Sequence, residues 1–217
     1  MNHRTLTSLA DVPQDASKSQ IRQANEALIL LAAEHVFAGA GFGGATMAAI
    51  AEVAGLPKAN LHYYFGAKQD LYRTVLARTL TDWLLPAEVI TPDADPRQAI
   101  EAYSRAKMAL SKLRPHASKV FANELLHGAP VAKTLLATEL RDLVRTKAAV
   151  IQGWINQGRM APVNPVHLFF TLWAATQTYA DFDVQVCAVL GHPELTAQDH
   201  RQATEHVVSL LLRGCGL

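Results

Sequence analysis

From Ile21 to Arg213 the apolar residues recur at three- and four-residue intervals, and no stretch of useful length alternates apolar with polar. A chain with that single period must build its core from helices, because a sheet needs faces that repeat every second residue. The first stretch carries Ile21, Ala24, Leu28, Leu31, Ala32, His35 and Val36, and is interrupted by the glycines from Gly39 to Gly44. Thr46 offers a hydroxyl N-cap to a short second helix with Met47, Ile50, Ala51 and Val53, which Gly55 ends. Pro57 stands where a first helical residue stands, opening a third helix to about Phe65. A fourth runs from Lys68 through Leu71, Val75, Leu76, Leu80 and Trp83 to Pro86. Val89 to Pro96 is a turn-rich connection. Further helices are expected over about 97–113, 116–126, 130–157, 165–189 and 197–213, so the expected fold is all-α with about nine helices.

Residues 1–20 are polar and aperiodic and read as a flexible tail. Half of the 217 residues are hydrophobic, and 18% are charged. Bulk disorder is excluded, and a large core is within reach. Twenty Lys+Arg against 19 Asp+Glu leave a net charge of +1, so nothing global draws the chain to nucleic acid or to an anionic membrane. A nucleic-acid site has to arise from a local arrangement. Two cysteines, Cys187 and Cys215, make no disulfide framework. The first residues hold no apolar signal core, and no run approaches about 18 consecutive apolar residues. The expectation is a cytoplasmic protein without a membrane partner.

The stretch TMAAIAEVAGLPKANLHYYFGAKQDL, Thr46 to Leu71, carries the chemistry. Two short helices that cross steeply need a turn residue tolerant of positive φ, and Gly55 sits there. Ala51 and Ala54 let the helices approach, while Ile50, Leu56 and Leu61 supply the apolar seam. A recognition helix must enter a major groove about 12 Å wide and expose polar side chains in it. Lys58, Asn60, His62 and Tyr63 are polar or aromatic and flank the inward Leu61; Tyr64 and Lys68 follow at places suited to phosphate oxygens. The bland alternative is that Tyr63, Tyr64 and Phe65 are core aromatics, a role that suits Phe65 best. From Val53 to Arg78 the cations are Lys58, Lys68, Arg73 and Arg78 against the lone anion Asp70. From Met1 to Arg73, six cations meet six anions, so non-specific affinity should be weak and its salt dependence shallow.

Thr46, Ile50-Ala51, Ala54-Gly55, Lys58, Leu61, Tyr64-Phe65, Lys68 and Leu71 together resemble the DNA-binding domain of the tetracycline-repressor-like (TetR) family of transcriptional regulators. The resemblance implies residues 21–66 as a helix-turn-helix DNA-binding domain, a linking helix over about 67–86, and an effector-binding and dimerisation domain over 87–217. It implies a homodimer whose two recognition helices enter successive major grooves of a pseudo-palindromic double-stranded DNA operator. Lys58, Asn60, His62 and Tyr63 would then face base edges or nearby backbone, and Thr46, Tyr64 and Lys68 would hold phosphates. The chain departs from the family pattern at three places: Pro57 and Ala67 stand where Ser is usual, and His62 where Tyr is usual.

The segment HLFFTLWAATQTYADFDVQV is apolar around most of its circumference, and the last helix carries a stripe of Ala203, His206, Val207, Leu210 and Leu211. Such helices belong to a large core or to a subunit interface, and the residues alone leave both open. Trp173, Gln177 and Asp181 share one face at intervals of four. A buried Gln offers an acceptor and two donors, and a Trp beside it is a flat apolar wall, a pair suited to a small planar molecule with carbonyl and N–H groups. The plainer alternative is a Gln satisfied by backbone or buried water. The strings FANELLHGAP, GWINQGRMAPVNPVHL, LWAATQTYADF and TDWLLP are similar to the pyrimidine-utilisation regulators of the same family. That similarity implies a pyrimidine effector such as uracil, with Trp83, Phe121, Trp173 and Gln177 at its pocket, and a repressor that the effector releases from DNA.

Two other functional classes leave weaker marks in the sequence. Glu124 and His127 form a Glu-x-x-His pair, but a helical di-iron site needs a second such pair besides two further inward Glu residues, and no second Glu-x-x-His occurs. No Cys/His cluster has zinc spacing, and no P-loop, dinucleotide fingerprint or nucleophile elbow occurs, so the chain is expected to be no enzyme and to need no cofactor or metal. His127 then reads as a helix C-terminal residue favourable to the dipole. A helical interaction protein without DNA binding would leave the polar set Lys58, Asn60, His62 and Tyr63 without a purpose.

Overall fold

The computed structural model describes residues 17–217; most of the tail expected over 1–20 lies outside the described residues. Among the described residues the regular structure is entirely helical. The helices are α1 (Lys18–Gly44), α2 (Met47–Ala54), α3 (Lys58–Phe65), α4 (Lys68–Leu84), α5 (Pro96–Leu113), α6 (Pro115–Leu126), α7 (Lys133–Leu135), α8 (Arg141–Asn156), α9 (Pro165–Asp181), α10 (Asp183–Leu190) and α11 (Ala197–Gly214).

Local chemistry sets most of the boundaries. Ser17 caps α1 in a capping box with Gln20, so Lys18–Gln20, read from sequence as the end of the tail, are the first helical turn. Gly41 leaves helical geometry at φ 66° and ψ 173°, the break that the glycine run announces. Thr46 Oγ1 accepts from Ala49 N at 3.1 Å and opens α2. Gly55 ends it in the left-handed region at φ 65°. Pro57 takes ψ 138°, so it caps α3 from outside and does not serve as its first residue.

The expected helices 130–157 and 165–189 are each divided. The first begins at α7, passes through a π turn at Leu136–Leu140 and continues as α8. The second breaks at Phe182 (φ −120°, ψ 33°), where the Asp183 carboxylate accepts from Val184 N and restarts the chain as α10. Hydrophobic period is blind to such single-residue breaks.

The chain forms two compact units. The first comprises the described residues up to Arg78 together with Val120–Ala132; the second comprises Thr79–Lys119 and Lys133–Leu217. In the first, α2 packs on α1 and α3 on α2. Their core is Ile29, Ala32, Ala33, Phe37, Ile50, Leu61, Leu71, Val75 and Leu76, all at most 1% exposed. The Tyr72 ring meets Phe37 edge-on, with centroids 4.9 Å apart. By length and a mean hydropathy of 1.5, α1 is the one described helix that could cross a membrane. Its apolar face is occupied instead by the seam of this unit.

In the second unit α5 packs along both α9 and α11, and α8 along α9. Ile100, Tyr103, Met108, Ile151, Trp154, Phe169, Leu172, Val207 and Leu211 form its core. Several of its buried polar groups are bonded, as desolvation requires. Ser111 Oγ donates to Thr176 O at 2.8 Å, Trp173 Nε1 to the Tyr103 hydroxyl at 2.8 Å, and Trp154 Nε1 to Pro92 O at 3.2 Å.

Candidate nucleic-acid interface and effector pocket

The recognition helix α3 is built around one anchor. Leu61 is fully buried, while Lys58, His62 and Tyr63 are exposed, Tyr63 at 75%. Asn60 is half-buried. A Tyr left so open in a unit with a complete aromatic core contributes little to folding and is available to a partner. Its ring meets Tyr64 edge-on at 5.2 Å, which holds the two phenols side by side.

The expected phosphate holders have local bonds of their own. Thr46 accepts as the α2 cap, which leaves its hydroxyl hydrogen to donate. Tyr64 is half-buried, and its hydroxyl accepts from Asn25 Nδ2 at 3.2 Å. His62 Nδ1 lies 2.8 Å from Gly66 O and ties the end of α3. Lys68 Nζ donates to Phe42 O at 2.6 Å and to Ala45 O at 2.8 Å, and lies 4.5 Å from the Phe42 ring centroid. Two of its three N–H groups thus brace the turn between α1 and α2, and one remains for a phosphate oxygen. Arg22, which the motif does not include, lies within electrostatic range of Tyr63 and Tyr64 while pairing with Glu26 at 2.9 Å.

Glu124 has a structural use. Its carboxylate accepts from Val131 N at 2.6 Å, from Ala132 N at 2.8 Å and from the Tyr72 hydroxyl at 3.1 Å. Burial first, then the facing charge, raises the Tyr72 phenol well above its ordinary range. His127 turns Nδ1 to Asn123 O at 2.7 Å. The Glu-x-x-His pair is therefore spent on closing the end of α6.

The effector candidates divide between the units. Trp83, Trp173 and Gln177 lie in the second, and Phe121, which is buried, lies in the first. Trp173 and Gln177 are half-buried on α9, and Trp83 is buried on α4. Sequence reasoning missed a buried cation beside Trp83. Lys107 on α5 is 2% exposed, and its Nζ lies 4.3 Å from the centroid of the Trp83 ring. Desolvation brings its amine down to about 7, opposed by the charge of Asp181. The Asp181 carboxyl is raised, by burial above all, and accepts from the Ser118 hydroxyl at 2.5 Å. The signal was available in sequence: Lys107 stands one turn from Tyr103 and one from Ser111, on the buried face of α5. Two surface grooves of about 410 and 450 Å³ lie beside α10 and α11, and neither includes Trp83, Lys107, Trp173 or Gln177.

A glycine-cornered helix pair with an exposed polar recognition helix, followed by a larger helical unit, defines a helix-turn-helix regulator of transcription. Comparison with known proteins agrees. The family described as bacterial regulatory proteins, tetR family, matches residues 29–75, and that described as YcdC-like protein, C-terminal region, matches residues 76–217. The chain belongs to the tetR family: it is a DNA-binding regulator and not an enzyme. It is 39% identical over 203 residues to the HTH-type transcriptional regulator RutR of Escherichia coli K12, covering 94% of this chain and 96% of that one. Among solved structures, a tetR-family regulatory protein from Rhodococcus RHA1 matches with a TM-score of 0.68 at 19% identity, over 91% of this chain and 97% of that chain. A TetR-like regulator from Rhodococcus sp. RHA1 matches with a TM-score of 0.61 at 21% identity, over 92% and 97%.

Proposed function

We propose that the protein is a homodimeric, ligand-responsive repressor acting on a pseudo-palindromic operator in the cytoplasm, with a small planar pyrimidine such as uracil as its effector. The observation that carries the DNA half is the exposure of Lys58, His62 and Tyr63 around the fully buried Leu61, which frees one polar helix edge for a groove. In this reading Lys58, Asn60, His62 and Tyr63 read bases or adjacent backbone, while Thr46, Tyr64 and the remaining donor of Lys68 hold phosphates. Exposed Phe170 and Val166 on α9 and Leu210 on α11 supply an apolar face for the second subunit, which would set the two recognition helices about one turn of DNA apart.

The effector half rests on the similarity of the second unit's sequence to pyrimidine-utilisation regulators and on Trp83, Trp173 and Gln177 falling in one unit. Release from DNA is a population shift. The effector moves the equilibrium only by binding one arrangement of α4 better than the other. Footprinting of full-length protein on the region upstream of its own gene, with and without uracil, tests both halves. Two protected half-sites that vanish on adding uracil support the reading. Absence of protection removes operator binding there, and protection indifferent to pyrimidines removes the effector.

A further inference from the structure

Asn25 on α1 is a polar side chain in a dry place, and only half of it is used. It is 8% exposed, and its Oδ1 has no hydrogen-bond partner among the described residues. A buried carbonyl left so costs stability, so burial alone favours an apolar residue at this position. The other end of the same amide has a use. Its Nδ2 donates to the Tyr64 hydroxyl of α3 at 3.2 Å, across 39 positions of chain. That bond bears on a helix that cannot place itself. α3 has eight residues and opens without a side-chain cap bond, well below the length at which a helix is stable alone. Leu61 anchors its middle, and Asn25 reaches its last turn.

We infer that Asn25 is a positioning residue for DNA binding: its amide holds the Tyr64 phenol as an acceptor and so keeps the phenol's hydrogen free for a phosphate oxygen. The inference rests on the reading of Tyr64 as a phosphate holder given above. A phosphodiester oxygen only accepts, so a phenol that meets one must donate, and a phenol has one hydrogen. A carboxylate or carbonyl beside Tyr64 would take that hydrogen. The amide nitrogen supplies a donor instead, fixes the oxygen, and leaves the hydrogen of this half-buried side chain to turn outward. Tyr72 is the contrast within the same unit. Its hydrogen goes to the Glu124 carboxylate, and its hydroxyl has none left to donate. The direction of the Asn25 bond therefore matters more than its strength.

The test is a double-mutant cycle on full-length protein with Asn25→Leu, Tyr64→Phe and the pair, read by mobility shift on a duplex of the region upstream of its own gene, beside thermal melts. Phosphates are common to every duplex, so an unrelated duplex at low salt serves where that region is not the operator. The expected result is a loss of about tenfold in Tyr64→Phe, the size of a hydrogen bond to a charged acceptor, and of about threefold or more in Asn25→Leu. Asn25→Leu should have no further effect once Tyr64→Phe is in place. Its melting temperature should hold, since an unpartnered carbonyl leaves the interior together with the bond. Affinity unchanged in Asn25→Leu overturns the inference while the phosphate role of Tyr64 stands. Equal losses from Asn25→Leu with and without Tyr64→Phe overturn it as well, because the amide would then act elsewhere. Affinity unchanged in Tyr64→Phe overturns the phosphate reading itself, and this assignment with it. If Asn25→Leu does not fold, Asn25→Asp decides through the same cycle. Its carboxylate only accepts and would take the Tyr64 hydrogen, so its loss should shrink by about threefold or more when Tyr64→Phe is added. Equal losses in the two backgrounds overturn the assignment.

Discussion

Tyr72 on α4 donates its hydroxyl hydrogen to Glu124 on α6 across 3.1 Å, and the other oxygen of that buried carboxylate gathers the backbone N–H groups of Val131 and Ala132. One acidic side chain thus holds the segment Val120–Ala132 within the first unit, 52 residues beyond its phenol partner. Glu124→Ala would leave three donors without an acceptor, at about 1–3 kcal/mol each when buried. Urea denaturation should show a loss of about 3 kcal/mol or more, and Tyr72→Phe a loss of about 1 kcal/mol. Equal stability of Glu124→Ala and wild type would mean that the carboxylate does not hold this turn.

Tyr63 separates recognition from folding. Because three-quarters of it is exposed, Tyr63→Ala should leave the melting temperature nearly unchanged while weakening operator binding by about tenfold, as a contact worth 1–3 kcal/mol implies. Mobility shifts beside thermal melts read both quantities. A melting temperature that falls as far as affinity would place Tyr63 in the core.

Lys68 should show the opposite balance. Lys68→Ala removes donors to the carbonyls of Phe42 and Ala45, so it should lower stability by about 1–3 kcal/mol. It should also reduce the slope of log affinity against log salt by about 1 where the third donor holds a phosphate. Titrating operator binding at several salt concentrations, beside urea curves, separates the brace from the phosphate contact.

Lys107 makes stability depend on pH. Burial lowers its amine to about 7, against an ordinary lysine value of 10.5 in the unfolded chain. Between those values the unfolded chain binds a proton that the folded chain does not, so stability rises with pH. The full cost is carried below about pH 7 and is relieved as pH climbs toward 10.5. Lys107→Met should exceed wild type in stability at pH 7, with the gap narrowing by pH 9. Denaturant curves at the two values check the sign, and a constant gap would mean that Lys107 titrates normally.

Gly55 tests the corner of the helix pair. It sits at φ 65°, yet a Cβ there would meet nothing within 4 Å. Gly55→Ala should therefore cost only the backbone conformational penalty, about 1–2 kcal/mol, and Gly55→Asn clearly less. A much larger loss in a urea melt would point to crowding.

What the residues determined unaided is local. The helical period, the Thr46 cap, the left-handed Gly55 and the exposed edge beside Leu61 each depend on neighbours within a few positions, and sequence spacing reports those directly. Phe182 and the π turn at Leu136–Leu140 were illegible because one residue's φ and ψ leave no mark on an apolar period. The tertiary structure alone decided the roles that join distant residues. It bonded Tyr72 and Tyr103 to partners 52 and 70 positions away, and turned Lys68 onto the carbonyls of Phe42 and Ala45. It also buried Lys107 against Trp83. A lysine costs nothing on a surface and a great deal in a core, and which of the two it meets is settled by helices packing, not by its place in the chain.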